Sequence, residues 1–417
     1  MNIQYQGDLN REGQVVPFRV FLADGLSSDV NTLISSASGL ELVDDPELAQ
    51  GMLIRSKEKF LSPEAFEQHP DLEQIVRVGV GIDNVRLDLA SKAGVVVLNT
   101  PGASTNAVAT RTVALILASA GRVVEATVSL KENEWLKGKK EVQPEDLSQK
   151  SLGVIGYGRI GKRTSELAGP FFNKVQFSDV RDLKSPNQVS LENLLSSSQV
   201  VSVNTSGDTE ILTSELCELI QPGAILVITS RGESVNLEAL RRLQEEKNVR
   251  VALDVFHQEG KGMFDNQMLM EVIQDKGFIG TPHTAAQDDY TQEQLGHEAA
   301  HAMIDFAQKG MVNPKNLSGL NFKSVQLSGP LDRKDKRFLI AHPSIKGTIG
   351  KIGTLVDQGG GDIRHFANDS EGFHLNGVHL AATAFDVIGV TPEQAVAIYD
   401  KIKSEIKILR GRILSYA

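Results

Sequence analysis

Leu152-Gly-Val-Ile-Gly-Tyr-Gly-Arg-Ile-Gly161 runs from a short apolar segment through a glycine-rich turn into a helix-forming segment, and its surroundings decide the fold. A G-x-G-x-x-G match alone carries little; a strand before it, a helix after it and an acid downstream make it specific. All three are present. Ser151 to Ile155 predicts a strand, Gly156 a tight turn, Gly158 close approach of a pyrophosphate, and Gly161 close packing of the next helix. That helix directs its unpaired N–H groups and positive dipole end at the anion. Roughly twenty residues on, Lys174-Val-Gln-Phe-Ser-Asp179 predicts a second strand ending in the carboxylate that holds a ribose diol. Asp179 favours NAD over NADP, because a 2′-phosphate would meet its charge; Arg181 nearby works against that preference.

The 417 residues exceed one ordinary domain, so two or three cores are expected. A hydrophobic content of 41% with 23% charged residues describes a globular chain. The net charge of −10 argues against nucleic acid or an anionic membrane as main partner, while leaving room for a small anion where arginines converge. A single cysteine, Cys217, in a helical pattern reads as a small core residue in a reducing compartment. The polar start Met1-Asn-Ile-Gln-Tyr-Gln-Gly7 has no signal-peptide pattern, and no apolar run reaches membrane-spanning length; the expectation is a cytoplasmic protein.

Around the fingerprint, strands and helices alternate twice. Phe18-Arg-Val-Phe-Leu-Ala23, Gly51-Met-Leu-Ile-Arg55, Leu72 to Val78 and Gly94 to Leu98 predict one parallel α/β sheet; Leu152 to His283 predicts another, with further strands near Gln199–Asn204, Ala224–Ser230, Val249–Phe256 and Phe278–Gly280. Two long helical patterns, Ala107 to Arg122 and Asp288 to Gln308, carry the chain between them and back. The expected division is a discontinuous substrate-binding domain (1–106 and 300–330), a dinucleotide domain (107–299) and, after a polar linker around Ser328 to Lys336, a third module (336–417). The third module reads strand, helix, two strands (Asp362–Phe366, His374–Phe385), a helix from Thr391, and a strand Ile406–Ser415: the β-α-β-β-α-β order of a small ferredoxin-like domain.

In an open α/β sheet, ligands lie beyond the carboxyl ends of the strands. Arg231, Asp254, Glu259 and His283 all follow strands there. Arg231 offers a planar two-point contact to a substrate carboxylate; His283 is a general base for a hydroxyl proton; Glu259, against the far imidazole nitrogen, fixes the tautomer and raises the imidazole pKa. Alone each residue reads as ordinary surface or turn chemistry; together beside a dinucleotide motif they point to oxidation of a 2-hydroxy acid.

These residues resemble the D-isomer-specific 2-hydroxyacid dehydrogenases, and within them the D-3-phosphoglycerate dehydrogenases that carry a C-terminal ACT domain. The likeness also rests on Val78-Gly-Val-Gly-Ile-Asp-Asn84, Asn99-Thr-Pro-Gly-Ala-Ser104, Thr229-Ser-Arg-Gly-Glu233, Leu253-Asp-Val-Phe256 and Thr281-Pro-His-Thr-Ala-Ala286. The resemblance implies Arg231, Glu259 and His283 as catalytic residues. It implies Gly156, Gly158, Arg159, Ile160, Gly161, Asp179, Thr229, Ser230, Arg231, Asp254, His283, Thr284, Ala285 and Ala286 as NAD contacts. In Leu53-Ile-Arg-Ser-Lys57, Arg55 matches the family's phosphate-binding arginine, with Ser56, Arg77, Val80 and Gly81 beside it in a substrate site for a phosphorylated 2-hydroxy acid. A homodimer or homotetramer is implied too, as is L-serine as an effector at His342, where Ser344 and Asp362 stand in place of the family's asparagines. Gly260 replaces the usual proline after Glu259, and Thr110 the usual glutamate.

Other readings compete. His297-Glu-Ala-Ala-His301 satisfies the zinc-protease pattern, yet it lies on the helix that the two-domain reading already requires, and no metal is expected. Glyoxylate, hydroxypyruvate or 2-oxoglutarate reduction on the same scaffold is the alternative chemistry, and an NAD-sensing binding protein the alternative class; a sensor has no need of a general base.

Overall fold

Apolar runs rich in Val, Ile and Leu recur between helices, and in the computed structural model each of the main ones is a central parallel strand. The structure describes residues 5–23, 26–207, 209–260, 262–310, 318–319, 335–369, 374–375 and 378–416. They fall into two units, Ser104–Thr291 and Met1–Ala103 with Gln292–Ala417. The terminal module thus shares a unit with the first sheet, and the return crossing lies near the start of helix Asp289–Lys309 rather than at residue 300.

In the Ser104–Thr291 unit, six parallel strands run in the order Lys174–Ser178, Ser151–Ile155, Val200–Val203, Ile225–Ile228, Arg250–Leu253, Ile279–Gly280. The order reverses between Ser151–Ile155 and Val200–Val203, so the crevice of the switch point opens where the glycine turn lies. Val200–Val203 and Ile225–Ile228 are buried throughout, as strands covered by helices on both faces must be. Helix Thr105–Gly121 covers one face with Leu115 and Ile116, and Thr112 Oγ1 lies 2.7 Å from Thr229 Oγ1 at the carboxyl end of Ile225–Ile228.

In the other unit, Leu40–Leu42, Phe18–Leu22, Gly51–Ile54, Gln74–Arg77 and Val96–Asn99 form a parallel sheet with a short antiparallel edge strand, Ser318–Gly319. The terminal sheet is antiparallel: Asp362–Asp369, Val378–Ile388, Lys336–Pro343, Arg410–Tyr416. Helices Thr348–Gln358 and Pro392–Glu405 intervene in the expected ferredoxin-like order, the second opened by a capping box of Thr391 and Gln394. Its strands differ from expectation at their ends: Arg410 rather than Ile406 begins the last, and Lys336 opens the first instead of closing the linker, whose residues 328–334 lie outside the described ones.

Two further differences follow from packing. Tyr5–Leu9 and Val15–Val16 extend the terminal sheet beyond Arg410–Tyr416, so the first described residues belong to that sheet and not to the parallel one. Lys336–Pro343 is buried on both faces. Phe338 and Ile340 meet the two helices of the module; Leu339 and Ala341 join Ala299, Met303 and Phe306 of helix Asp289–Lys309 in a common core. On that side Arg337 donates to both carboxylate oxygens of Asp386 at 2.7 and 3.0 Å, and the pair is almost fully buried.

Among the described residues no single helix is long and apolar enough to cross a membrane. Replacing Arg337 by Ala leaves a buried carboxylate without its main cation and is expected to cost about 3–5 kcal/mol. Removing Arg163 from its exposed 3.1 Å pair with Glu166 should cost less than about 1 kcal/mol. Thermal melts of the two variants beside the parent protein check the contrast.

Candidate functional site

Three glycines shape the turn after Ser151–Ile155 for distinct reasons. Gly156 has φ +82°, and a Cβ there would lie 2.8 Å from Asn204 O; a Cβ on Gly161 would lie 1.9 Å from Gly156 O. Around Gly158, by contrast, no atom lies within 4 Å of a Cβ position, so the turn is open where a pyrophosphate approaches. Gly158 is the N-cap of helix Arg159–Ala168 and offers no capping side chain, leaving the first-turn N–H groups facing that opening.

Asp179 closes the turn from the second strand. Its Oδ2 accepts the Tyr157 N–H at 2.8 Å, and its Oδ1 accepts the backbone N–H and Nε of Arg181, each at 2.9 Å. The hydrogen bond from the Arg181 side chain, ahead of those from the two backbone amides, holds its carboxyl well below the usual range despite partial burial. Asp179 is therefore charged and oriented, with Arg181 tied to it.

On the facing loops, strand Arg250–Leu253 ends at Asp254, which is fully buried. Its Oδ1 accepts the Thr281 hydroxyl and the Thr284 N–H (3.2 Å), its Oδ2 the Ala285 N–H (3.1 Å), and its carbonyl the His283 N–H (2.8 Å). The carboxylate is thus occupied by the turn 281–285 and not presented to a ligand, a role that a strand-ending aspartate does not announce in sequence. His283 sits in that turn at φ +51°. Its Nδ1 lies 2.6 Å from Glu259 Oε2, while Glu259 Oε1 accepts the Phe256 N–H at 2.9 Å.

This couple sets both pKa values. The hydrogen bond to Glu259, helped by the charges of Glu259 and Asp254, raises the imidazole above the ordinary histidine value against burial and the charge of Arg231. Burial pushes Glu259 up, but the bonds from His283 and Phe256 and the charges of His283 and Arg231 outweigh it, leaving the carboxyl below its ordinary value. Arg231 follows Ile225–Ile228 and donates from Nη1 to Ser230 O at 2.9 Å. Gly232 after it is obligatory, since a Cβ would lie 2.1 Å from Phe256 C. Gly260, where the resemblance led one to expect proline, has φ +113°, which proline cannot adopt. Thr110 and Arg111, with Ala107 and Ala114, line a cleft of about 490 Å³ against Thr284, Ala285 and Gln287.

Arg55, Ser56, Arg77, Val80 and Gly81 belong to the other unit. Arg55 at the end of Gly51–Ile54 donates its guanidinium to Gln292 Oε1, and Asn84 Nδ2 donates to the carbonyls of Arg55 and Glu58, each at 2.6 Å. Arg77 Nη1 donates to Val78 O at 2.7 Å and lies over Gly79, whose Cβ would fall 1.6 Å from it. Ser56 and Val80 are exposed, and Gly81 is partly so. Asn84 ends the segment Val78–Asn84 and Gln292 lies in the first turn of helix Asp289–Lys309, and neither carries a sequence signal for this contact.

The expected effector residues fare differently. His342 is buried on the helix side of the terminal sheet, its Nδ1 2.9 Å from Pro343 O and its Nε2 2.8 Å from Thr383 Oγ1. Both nitrogens are engaged internally, so the structure does not present it as an effector contact. Ser344 donates its N–H to His379 O, and Asp362 is exposed at a strand start. Of the H-E-x-x-H pair, His297 lies near Asp29 and Glu293, a group that does not include the exposed His301.

A family model described as D-isomer specific 2-hydroxyacid dehydrogenase, NAD binding domain, matches residues 113–285. The chain is 30% identical over 299 residues to the hydroxypyruvate reductase of Thermotoga maritima, covering 67% of this chain and 95% of that one. It is 28% identical over 365 residues to the D-3-phosphoglycerate dehydrogenase of Haemophilus influenzae, covering 85% and 84%. Among solved structures, the D-lactate dehydrogenase of Aquifex aeolicus complexed with NAD and lactic acid superposes with a TM-score of 0.61 at 27% identity, covering 69% of this chain and 95% of that one.

NAD is the cofactor, and the open space at Gly158 fits it. Two alanine substitutions separate cradle from fold. Gly158→Ala should leave the melting temperature unchanged and weaken NADH binding about tenfold or more, whereas Gly161→Ala should lower both, as read by melts and fluorescence titration. With its fingerprint, its switch-point crevice and a relative matched over nearly that relative's whole length, the chain belongs to the D-isomer-specific 2-hydroxyacid dehydrogenases and is an NAD-dependent oxidoreductase.

Proposed function

We propose that the protein oxidises 3-phospho-D-glycerate to 3-phosphohydroxypyruvate with NAD, the reaction that opens L-serine synthesis, and that Arg231, Glu259 and His283 carry the chemistry. The 2.6 Å contact between His283 Nδ1 and Glu259 is the observation that carries the chemistry of this reading. With Glu259 accepting from Nδ1–H, the other ring nitrogen is a bare acceptor, ready to take the C2 hydroxyl proton. Arg231 holds the substrate carboxylate and polarises the C2 oxygen. NAD would supply the hydride acceptor for C2 when bound. As that carbon becomes a carbonyl, the imidazolium formed is stabilised by Glu259, and in reduction it returns the proton. Oxidation therefore declines as pH falls through the raised imidazole pKa, and reduction declines as pH rises through it.

Gly158, Arg159 and Ile160 would cradle the pyrophosphate, with Gly156 and Gly161 shaping the turn, Asp179 would hold the ribose, and the segment Thr229–Arg231 with Thr284–Ala286 the nicotinamide half; Asp254 acts by holding the turn 281–285. Arg55 and Arg77 favour a substrate with a distal anion, since a short 2-oxo acid needs only Arg231. Glyoxylate or hydroxypyruvate reduction is the second reading, supported by the Thermotoga maritima relative and by a glyoxylate reductase of Thermococcus litoralis, 29% identical over 338 residues. Exposed Val123, Val128, Leu130 and Trp135 on consecutive helices support self-association through the dinucleotide unit.

NADH oxidation should be fastest with 3-phosphohydroxypyruvate when it is set beside hydroxypyruvate, glyoxylate and 2-oxoglutarate. Arg55→Ala should lower kcat/KM for the phosphorylated acid by about 10- to 100-fold and leave the others nearly unchanged. A preference for glyoxylate or hydroxypyruvate, indifferent to Arg55, selects the second reading. His283→Ala should lower kcat by about 10²- to 10⁴-fold with NADH affinity retained; undiminished turnover would remove the role given to it.

A further inference from the structure

The guanidinium of Arg412, on the last strand of the terminal sheet, is almost wholly buried. Its Nη1 donates to both carboxylate oxygens of Asp8 at 3.1 and 3.3 Å and to Ala307 O at 3.2 Å, and its Nη2 donates to Phe306 O. Its Nε lies 3.1 Å from Glu73 Oε2. The rings of Phe18 and Phe306 lie 4.6 and 4.7 Å from its central carbon. One side chain thus meets the strand Tyr5–Leu9, the carboxyl end of helix Asp289–Lys309 and the residue preceding Gln74–Arg77. Gln50, which precedes Gly51–Ile54, joins them: its Nε2 donates to Asp8 Oδ2 at 3.3 Å, and its carbonyl accepts the Glu73 N–H at 2.7 Å. The two strands gripped at this end are those whose other ends carry Arg55 and Arg77.

Two carboxylates here face one buried guanidinium. Taking a second negative charge out of water costs more than its attraction to an already paired cation returns. We propose that Asp8, Glu73 and Arg412 form a proton-gated clasp between the terminal sheet and the parallel sheet, closed when Glu73 is protonated and strained when it is charged. Burial is the main force on Glu73. Arg412, the Gln50 amide and Arg410 oppose it and Asp8 adds to it, pushing the carboxyl up to about 7. Arg410 faces the same place from the last strand, donating its Nε to Ala93 O, and Tyr399 faces it from helix Pro392–Glu405, its hydroxyl donating to Gly411 O.

The sign follows from the raised value. A carboxyl with a higher pKa in the closed form favours closure at low pH, and that contribution is lost as pH rises from the ordinary carboxyl value through about 7. Hydrogen exchange of the full-length protein, followed by mass spectrometry at residues 5–9 and 410–416 and corrected for intrinsic rates, reads the opening directly. Opening should increase by up to about tenfold per pH unit from about pH 5.5 to about pH 7 and level off above. Glu73→Gln, which keeps the protonated shape, should abolish that rise. Asp8→Asn, which removes the second negative charge, should move it to lower pH and serves as the test if Glu73→Gln does not fold. Flat opening in the parent protein, or an unchanged rise in either variant, would overturn the clasp.

Discussion

The site hangs on one buried carboxylate. Asp254 ends a central strand with no exposure to water and spends its oxygens on Thr281, Thr284 and Ala285. A buried charge is tolerable only when it is hydrogen-bonded on every side, so the turn 281–285 has little freedom to move away from the strand end. That constraint holds His283 at a left-handed backbone angle and delivers its ring to Glu259. Glu259 is fixed in turn by the Phe256 N–H, three residues beyond the same strand. Arg231, Glu259 and His283 thus follow three neighbouring parallel strands, Ile225–Ile228, Arg250–Leu253 and Ile279–Gly280, and the regular sheet fixes their placement.

The second organising feature lies in the other unit. The terminal sheet, backed by two helices on one face, leaves its other face apolar, and helix Asp289–Lys309 covers it, with Leu339, Ala341 and Leu414 in the same core as Ala299, Met303 and Phe306. The terminal module is therefore built into the unit that contains Arg55 and Arg77. Polar residues punctuate this contact at two points, Arg337 with Asp386 and Arg412 with Asp8 and Glu73.

Much of this was legible from residues alone. Strands flanked by glycine and by helical patterns reveal themselves through composition, and the fingerprint, with Asp179 about twenty residues on, fixed the dinucleotide half. The Glu259 to His283 contact was legible because both residues follow strands of one sheet. What stayed hidden depends on distant partners: Tyr5–Leu9 pairs with residues at the other end of the chain, and no local pattern tells a strand which sheet it will join. His342, which the resemblance placed at an effector contact, is buried in this chain, because Thr383, far along the sequence, meets its ring. The departure at Gly260 made sense only once its positive φ was visible.

The chemistry of the site depends most directly on the tuning of His283 by Glu259. Nitrogen-15 NMR of the His283 ring, titrated in the parent protein and in Glu259→Gln, measures that coupling without turnover. The imidazole should titrate above the ordinary histidine range of about 6.5 in the parent and fall by about one unit or more in the variant, with Nδ1 carrying the proton in the neutral parent ring. Identical titration in the two proteins would contradict it.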